Sequence, residues 1–227
     1  MTISLTWHGH ATLSINSSGT KILVDPFFTD NPVAKTKASD VGADYILISH
    51  GHGDHTADAL DIATRTGAMI ISNFEICNWY NSQGYENVHA QHIGGGYLHP
   101  FGHVKLTVAF HGSGLPDGSY GGMPAGFLLT IENKKIYIAA DTALFSDMNL
   151  IGQGGLDLAV LPIGDNFTMG PDDALQAVKF LDPQVVIPYH YNTWEPIAQD
   201  QHAWAERVRS ECACRVVILE VDGTYSL

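Results

Sequence analysis

Five short apolar runs in this chain each stop at, or within a few residues of, a side chain able to ligate a metal, and this limits the folds open to it. Tyr45-Ile46-Leu47-Ile48 leads into His50-Gly51-His52-Gly53-Asp54-His55, residues 104–110 lead into His111, and 135–140 into Asp141. Residues 156–162 lead toward Asp165 and 184–188 toward His190. Runs this short, rich in β-branched residues and nearly unbroken, suit strands buried on both faces. Side chains just past one edge of such a sheet can meet in a single crevice. A lone His or Asp after a strand is ordinarily a cap or turn residue. Repetition at four strands, beside a six-residue cluster, makes coincidence a poor explanation.

The cluster itself reads as the core of a metal site. Imidazole and carboxylate are ligands for zinc and related divalent ions, and Gly51 and Gly53 let the backbone turn tightly enough for neighbouring side chains to converge. In an extended segment an i, i+2 pair points one way, so His50 and His52 share a direction while Asp54 and His55 must diverge.

Composition narrows the class. A length of 227 residues suffices for one sizeable core, and no Pro/Ser-rich linker or long charge run offers a division, so residues 1–227 read as a single domain. No apolar stretch approaches the roughly 18 residues of a membrane span. The opening Met1-Thr2-Ile3-Ser4-Leu5-Thr6-Trp7 has neither a basic start nor a cleavage signal, so a cytoplasmic location is expected, with no membrane partner. Three cysteines, Cys77, Cys212 and Cys214, cannot form a full disulfide framework and fit a reducing compartment. Cys212 and Cys214 lack the second pair and the spacing of a thiolate metal site. The formal charge of −13 repels polyanions and argues against nucleic acid; two divalent ions would leave it at −9, from −13 + 4. A small-molecule substrate is the expected partner, and homo-oligomerisation is left open.

Alternating segments near the start (3–7, 12–15 and 21–24) read as meandering antiparallel strands. Helices are expected over 57–66, stopping at Gly67; over 74–83, stopping at Gly84; over 171–181, opening on Pro171 beside Asp172 and Asp173; and over 201–211. Strands and helices mixed in this order give an α/β (α+β) chain and no finer architecture.

The His50-x-His52-x-Asp54-His55 motif, followed by a distant His, Asp and His, resembles the metallo-β-lactamase superfamily. Trp7-His8-Gly9-His10-Ala11, Val24-Asp25-Pro26-Phe27, His92-Ile93-Gly94-Gly95, Gly122-Met123-Pro124-Ala125-Gly126, Pro162-Ile163-Gly164-Asp165-Asn166 and Pro188-Tyr189-His190-Tyr191-Asn192 resemble one branch of it. That branch is the small bacterial and archaeal family of metal-dependent hydrolases related to the ascorbate-phosphate lactonases. The resemblance covers nearly the whole chain and implies a four-layer αβ/βα sandwich. It is far less specific for substrate, because one fold hosts many chemistries.

By that resemblance His50, His52 and His111 surround one ion, Asp54, His55 and His190 the other, and Asp141 bridges them. Two divalent ions, zinc first, with nickel, manganese or cobalt as alternatives, would hold a bridging hydroxide as nucleophile, oriented by the catalytic Asp54. The implied activity is hydrolysis of a small-molecule ester, lactone or phosphodiester. A binding or sensing module with vestigial activity is one rival. A di-iron redox enzyme is another, disfavoured because such relatives carry a carboxylate where this chain has His52. Ala140 also departs from the glycine common before the bridging aspartate. His10 and Asp25 are read as substrate contacts or supports of the ligands, and Asp165, Asn166 and Asn192 as substrate contacts. His8 and His10 are read as pointing to one strand face. His92, His99 and His103 are read as surface or hydrogen-bonding residues.

Overall fold

The computed structural model describes residues 2–227. Strand β1 (Ile3–Trp7), β2 (Leu13–Ser17) and β3 (Thr20–Val24) form the expected antiparallel meander, with Leu5 opposite Ile15 and Ile15 opposite Ile22. The period of two buries Ile3, Leu5 and Trp7 on one face and leaves Ser4 and Thr6 on the other. Strands β4 (Tyr45–Leu47), β5 (Met69–Asn73) and β6 (Val88–Gln91) extend this sheet in parallel.

The second sheet begins with β7 (Gly96–His99), β8 (Gly102–Val108), β9 (Ala125–Ile131) and β10 (Lys134–Ile138), each antiparallel to the next. It continues in parallel through β11 (Leu156–Pro162), β12 (Pro183–Tyr189) and β13 (Arg215–Val216). Strand β14 (Gly223–Ser226) then returns to pair with β1, closing the first sheet at seven strands. Because β8 and β10 both oppose β9, they run the same way as β11 and β12. Their C-terminal ends therefore lie along one sheet edge, as the ligand-bearing runs require.

Helices cover the outer faces. The first, α1 (Gly53–Thr56), is a single turn inside the His-rich cluster, and α2 (Ala59–Thr66) follows it to the left-handed Gly67. The sequence places that second helix from 57; the shift arises because 53–56 fold as their own turn and the Asp58 carboxylate is taken by the backbone of Phe28 and Thr29, at 2.6 and 2.9 Å. Helix α3 (Phe74–Ser82) starts where Asn73 accepts from the Ile76 amide, and α4 (Met148–Gly152) has no counterpart in the sequence reading. Both α5 (Pro171–Leu181) and α6 (Gln201–Glu211) have the expected bounds, the latter capped by Asp200.

One apolar cluster joins the two sheets, pairing Leu5, Leu13 and Ile15 with Phe127, Leu129 and Ile136, and takes in Ala177 and Trp204 from α5 and α6. A second lies beneath α2 and α3, where Ile46 and Ile70 meet Ile62, Ile76 and Tyr80. This helix, sheet, sheet, helix layering is the expected four-layer sandwich. Truncating any fully buried leucine of it to alanine costs about 2–5 kcal/mol. Strand β8 differs from the sequence reading in exposing Lys105 on one face. No described helix is long and apolar enough to cross a membrane. Cys77, Cys212 and Cys214 are free thiols outside every candidate metal group among the described residues.

Candidate metal centre

The ligand-type residues are aimed by an abrupt change of backbone hand just past the strands. Asp25 follows β3 with φ 46°, Ala140 precedes Asp141 with φ 55°, and His190 follows β12 with φ 53°. This left-handed region costs a residue bearing a Cβ about 1–2 kcal/mol, and such strain gathers at functional sites. It explains a preference for glycine before Asp141: Ala140 pays that cost and still leaves the aspartate in place.

Two groups of side chains result. The ligand atoms of His50, His52 and His111 lie within 4.8 Å of one another, with His50 Nε2 3.0 Å and His111 Nε2 3.3 Å from His52 Nδ1. Those of His10, Asp54, His55 and His190 form the second group. Asp141 touches both, its Oδ2 standing 3.1 Å from His190 Nε2, 3.4 Å from His55 Nε2 and 3.6 Å from His111 Nε2. The one-turn helix α1 turns Asp54 and His55 together towards His10 and His190, while His52, at its extended N-cap, stays with His50.

A third group, Asp25 with His50 and His55, is saturated by its own hydrogen bonds. His55 Nδ1 donates to Asp25 Oδ2 at 2.9 Å, the Ser49 hydroxyl donates to the same oxygen at 2.6 Å, and the Ser49 amide donates to Oδ1 at 2.8 Å. A hydroxyl committed as donor must accept from His50 Nδ1, 2.9 Å away. In both imidazoles Nδ1 is thereby engaged as a donor, which leaves Nε2 as the atom facing the cavity groups. Asp25 contacts the imidazole of one candidate ligand directly and that of a second through Ser49, a residue the sequence reading missed.

Electrostatics follow from burial and these contacts. Burial pushes the His50 imidazole well below its usual range. For His55 burial acts the same way, but Asp141 and Asp25 outweigh it and hold it well above. Asp141 is held well below the carboxylate range, burial being overcome by His190 and His55. Burial also opposes ionisation of Asp54, yet the hydrogen bond from His10 Nε2 at 3.1 Å and the nearby His55 hold it down. His10 itself is pushed down to about 4, first by burial and then by His190. Its Nδ1 accepts from Thr193 Oγ1 at 2.9 Å.

The donor set fits divalent ions. Buried His55 Nε2, Asp141 Oδ1 and both ring nitrogens of His190 have no hydrogen-bond partner, although unpaired buried polar atoms are costly. The ring nitrogens of His50, His52 and His111 converge at 3.0–3.3 Å, an arrangement of imidazoles that suits a shared divalent ion. A cavity of about 220 Å³ opens on this centre, lined by His52, Asp54, His111, Asp141 and His190, with the exposed Phe167 and Trp194 completing its wall.

Other residues lie elsewhere. Asp165 and Asn166 close their own turn, the Asp165 carboxylate accepting from the Asn166 amide at 2.9 Å, and Asn192 holds Gln199 and Gln201. None of the three lines the cavity. Phe167 and Trp194 stand there instead, and only their position in loops following β11 and β12 hinted at it. His8 and His10 do not share a face: β1 ends at Trp7, Gly9 reverses the chain with φ 96°, and His8 pairs with Asp222 at 2.6 Å. His92 and His99 pack against Phe74 and Phe101.

A family model described as "Beta-lactamase superfamily domain" matches residues 4–190. The UPF0173 metal-dependent hydrolase of Bacillus cytotoxicus is 48% identical over 231 residues, covering 99% of this chain and all of the relative. A Bacillus cereus counterpart is 46% identical with the same coverage. Among solved structures, Igni18, a metallo hydrolase from Ignicoccus hospitalis, superposes with a TM-score of 0.91 at 35% identity, over 100% of this chain and 99% of that one. Fold, ligand-type constellation and relatives agree: the chain belongs to the metallo-β-lactamase superfamily and, within it, to the UPF0173 metal-dependent hydrolases.

Proposed function

We propose that this chain is a dinuclear metal-dependent hydrolase of a small-molecule ester, lactone or phosphodiester. The observation that carries the reading is Asp141, whose one carboxylate oxygen approaches an imidazole of each ligand group at the floor of a single cavity. His50, His52 and His111 would hold one ion, Asp54, His55 and His190 the other, with Asp141 shared. The nitrogen-rich set, His52 included, suits zinc, nickel or cobalt better than an iron pair, and favours hydrolysis over electron transfer. Bound divalent ions supply a water acidic enough to ionise near neutral pH and polarise the bond under attack.

The protein's own groups do the rest. Asp54, kept ionised by His10 and open to the cavity, accepts a hydrogen bond from the attacking water, orients it and takes up its proton for the leaving group. His10 positions Asp54 and is itself fixed by Thr193. Phe167 and Trp194 shield the site from bulk solvent on one side.

The test is Asp54→Asn on metal-loaded protein, assayed with chromogenic esters, lactones and phosphodiesters and with metal content measured in parallel. Turnover should fall about 10²- to 10⁴-fold, far more than substrate binding. Near-normal turnover with both ions retained would remove Asp54 from the mechanism, and hydrolysis indifferent to chelation would remove the metals.

A further inference from the structure

Beside the metal centre, and sharing His111 with it, lies a second groove of about 310 Å³, walled by Phe110, Tyr120, Met123 and Pro124. Phe110, Tyr120 and Met123 are each more than half exposed, an unusual concentration of large apolar side chains next to a polar centre. The segment carrying them is not a loose loop. Ser113 and Gly121 bond through both backbone and hydroxyl, and the buried Asn73 amide donates to the carbonyls of Gly121 and Met123 at 2.7 and 3.0 Å. These polar atoms of Ser113, Gly121 and Met123 are thus engaged internally, and Phe110, Tyr120, Met123 and Pro124 make the groove wall mainly apolar.

Charge points the same way. The sequence has no Lys or Arg between Lys37 and Arg65, between Arg65 and Lys105, between Lys105 and Lys134, or between Lys135 and Lys179. It has none between Lys179 and Arg207 either. The loops carrying His50 to His55, His111, Asp141, Phe167, His190 and Trp194 all fall in these gaps, and the His10 loop precedes the first lysine, Lys21. The Glu75 carboxylate lies directly beneath Gly122, where an added Cβ would meet its Oε2 at 2.5 Å. An anionic group away from the reacting bond would find no cationic side chain to receive it.

We infer that this groove seats the apolar, uncharged arm of the substrate, so that the site hydrolyses neutral carboxylic esters or lactones bearing an aliphatic or aromatic group, in preference to phosphodiesters. The inference rests on the hydrolase reading above. In the reaction the water oxygen bonds to the carbonyl carbon, the acyl C–O bond breaks, and the water proton ends on the leaving alkoxide. Burial of each methylene in the groove is worth about 0.8 kcal/mol, or about fourfold in kcat/KM.

The experiment compares p-nitrophenyl acetate, butyrate and hexanoate with bis(p-nitrophenyl) phosphate, on wild type and on a Phe110→Ser, Met123→Ser variant. Metal content and thermal midpoint confirm that each protein is intact. The hexanoate-to-acetate ratio of kcat/KM should reach about 250 in wild type, from four methylenes at about fourfold each, and fall below about tenfold in the variant. A flat ratio, a ratio unchanged in the variant, or a preference for the phosphodiester overturns the inference. In parallel, the neutral fluorophore N-phenyl-1-naphthylamine is titrated into metal-free protein. If no substrate is hydrolysed, the hydrolase reading fails alone provided the variant binds the fluorophore at least tenfold more weakly; equal binding overturns the groove as well.

Discussion

Asp25→Asn is the sharpest perturbation of the centre, because it alters no proposed ligand and changes one atom of a fully buried side chain. Asp25 Oδ1 accepts from the Ser49 amide, and an asparagine oxygen can keep that bond. Its Oδ2 now accepts from both the Ser49 hydroxyl and His55 Nδ1, at 2.6 and 2.9 Å, and in the variant an NH₂ group faces those two donors. Donor against donor is untenable at that distance, so His55 must turn over to its other tautomer and place a proton on Nε2, the nitrogen proposed to bind metal. Ser49, released from Asp25, also ceases to fix His50. Supports of this kind are typically worth about 10- to 100-fold in metal affinity, or about 1.4–2.7 kcal/mol. Unsatisfied buried donors add about 1–3 kcal/mol of lost stability. Zinc affinity would be read by competition with a chromophoric chelator, and stability by thermal unfolding with and without zinc. Asp222→Asn provides the control, since Asp222 makes a similar short contact to His8 away from the centre. Zinc affinity within twofold of wild type in Asp25→Asn, or an equal loss in Asp222→Asn, would refute the reasoning.

Further outcomes follow from the same geometry. Asp141→Ala should weaken binding of both ions and His190→Ala mainly that of one, read by zinc titration; equal loss at both sites in His190→Ala would undo the division of ligands. Burial, with His89 and His103 beside it, pushes His99 down to about 4. A histidine with a folded value below its unfolded one stays neutral in the fold, so its full contribution holds above pH 6.5 and is lost as the pH falls from 6.5 through about 4. His99→Leu should therefore lose about 1–2 kcal/mol less stability than wild type between pH 7 and pH 5, measured by urea unfolding; an unchanged pH slope would contradict it.

Much of the centre is legible in the sequence because each candidate ligand directly follows an apolar run, and a strand's end fixes where the next side chain emerges. Both α5 and α6 are equally legible, since Pro171 and Asp200 mark their starts by local chemistry. What the sequence hides depends on contacts between distant segments. Ser49 matters only because Asp25, 24 residues earlier in the chain, folds over it. Trp194 and Phe167 reach the cavity because their loops follow neighbouring parallel strands, whereas Asn192 and Asp165, more suggestive chemically, are engaged by bonds within their own loops. The short edge strands β6, β7 and β14 also escape notice, being too brief to show a period.

The central claim, that this constellation holds two divalent ions, is tested most directly by metal stoichiometry. Protein saturated with zinc and freed of unbound ion by gel filtration should carry two equivalents per chain by inductively coupled plasma mass spectrometry. A value of one equivalent or less would contradict the dinuclear centre.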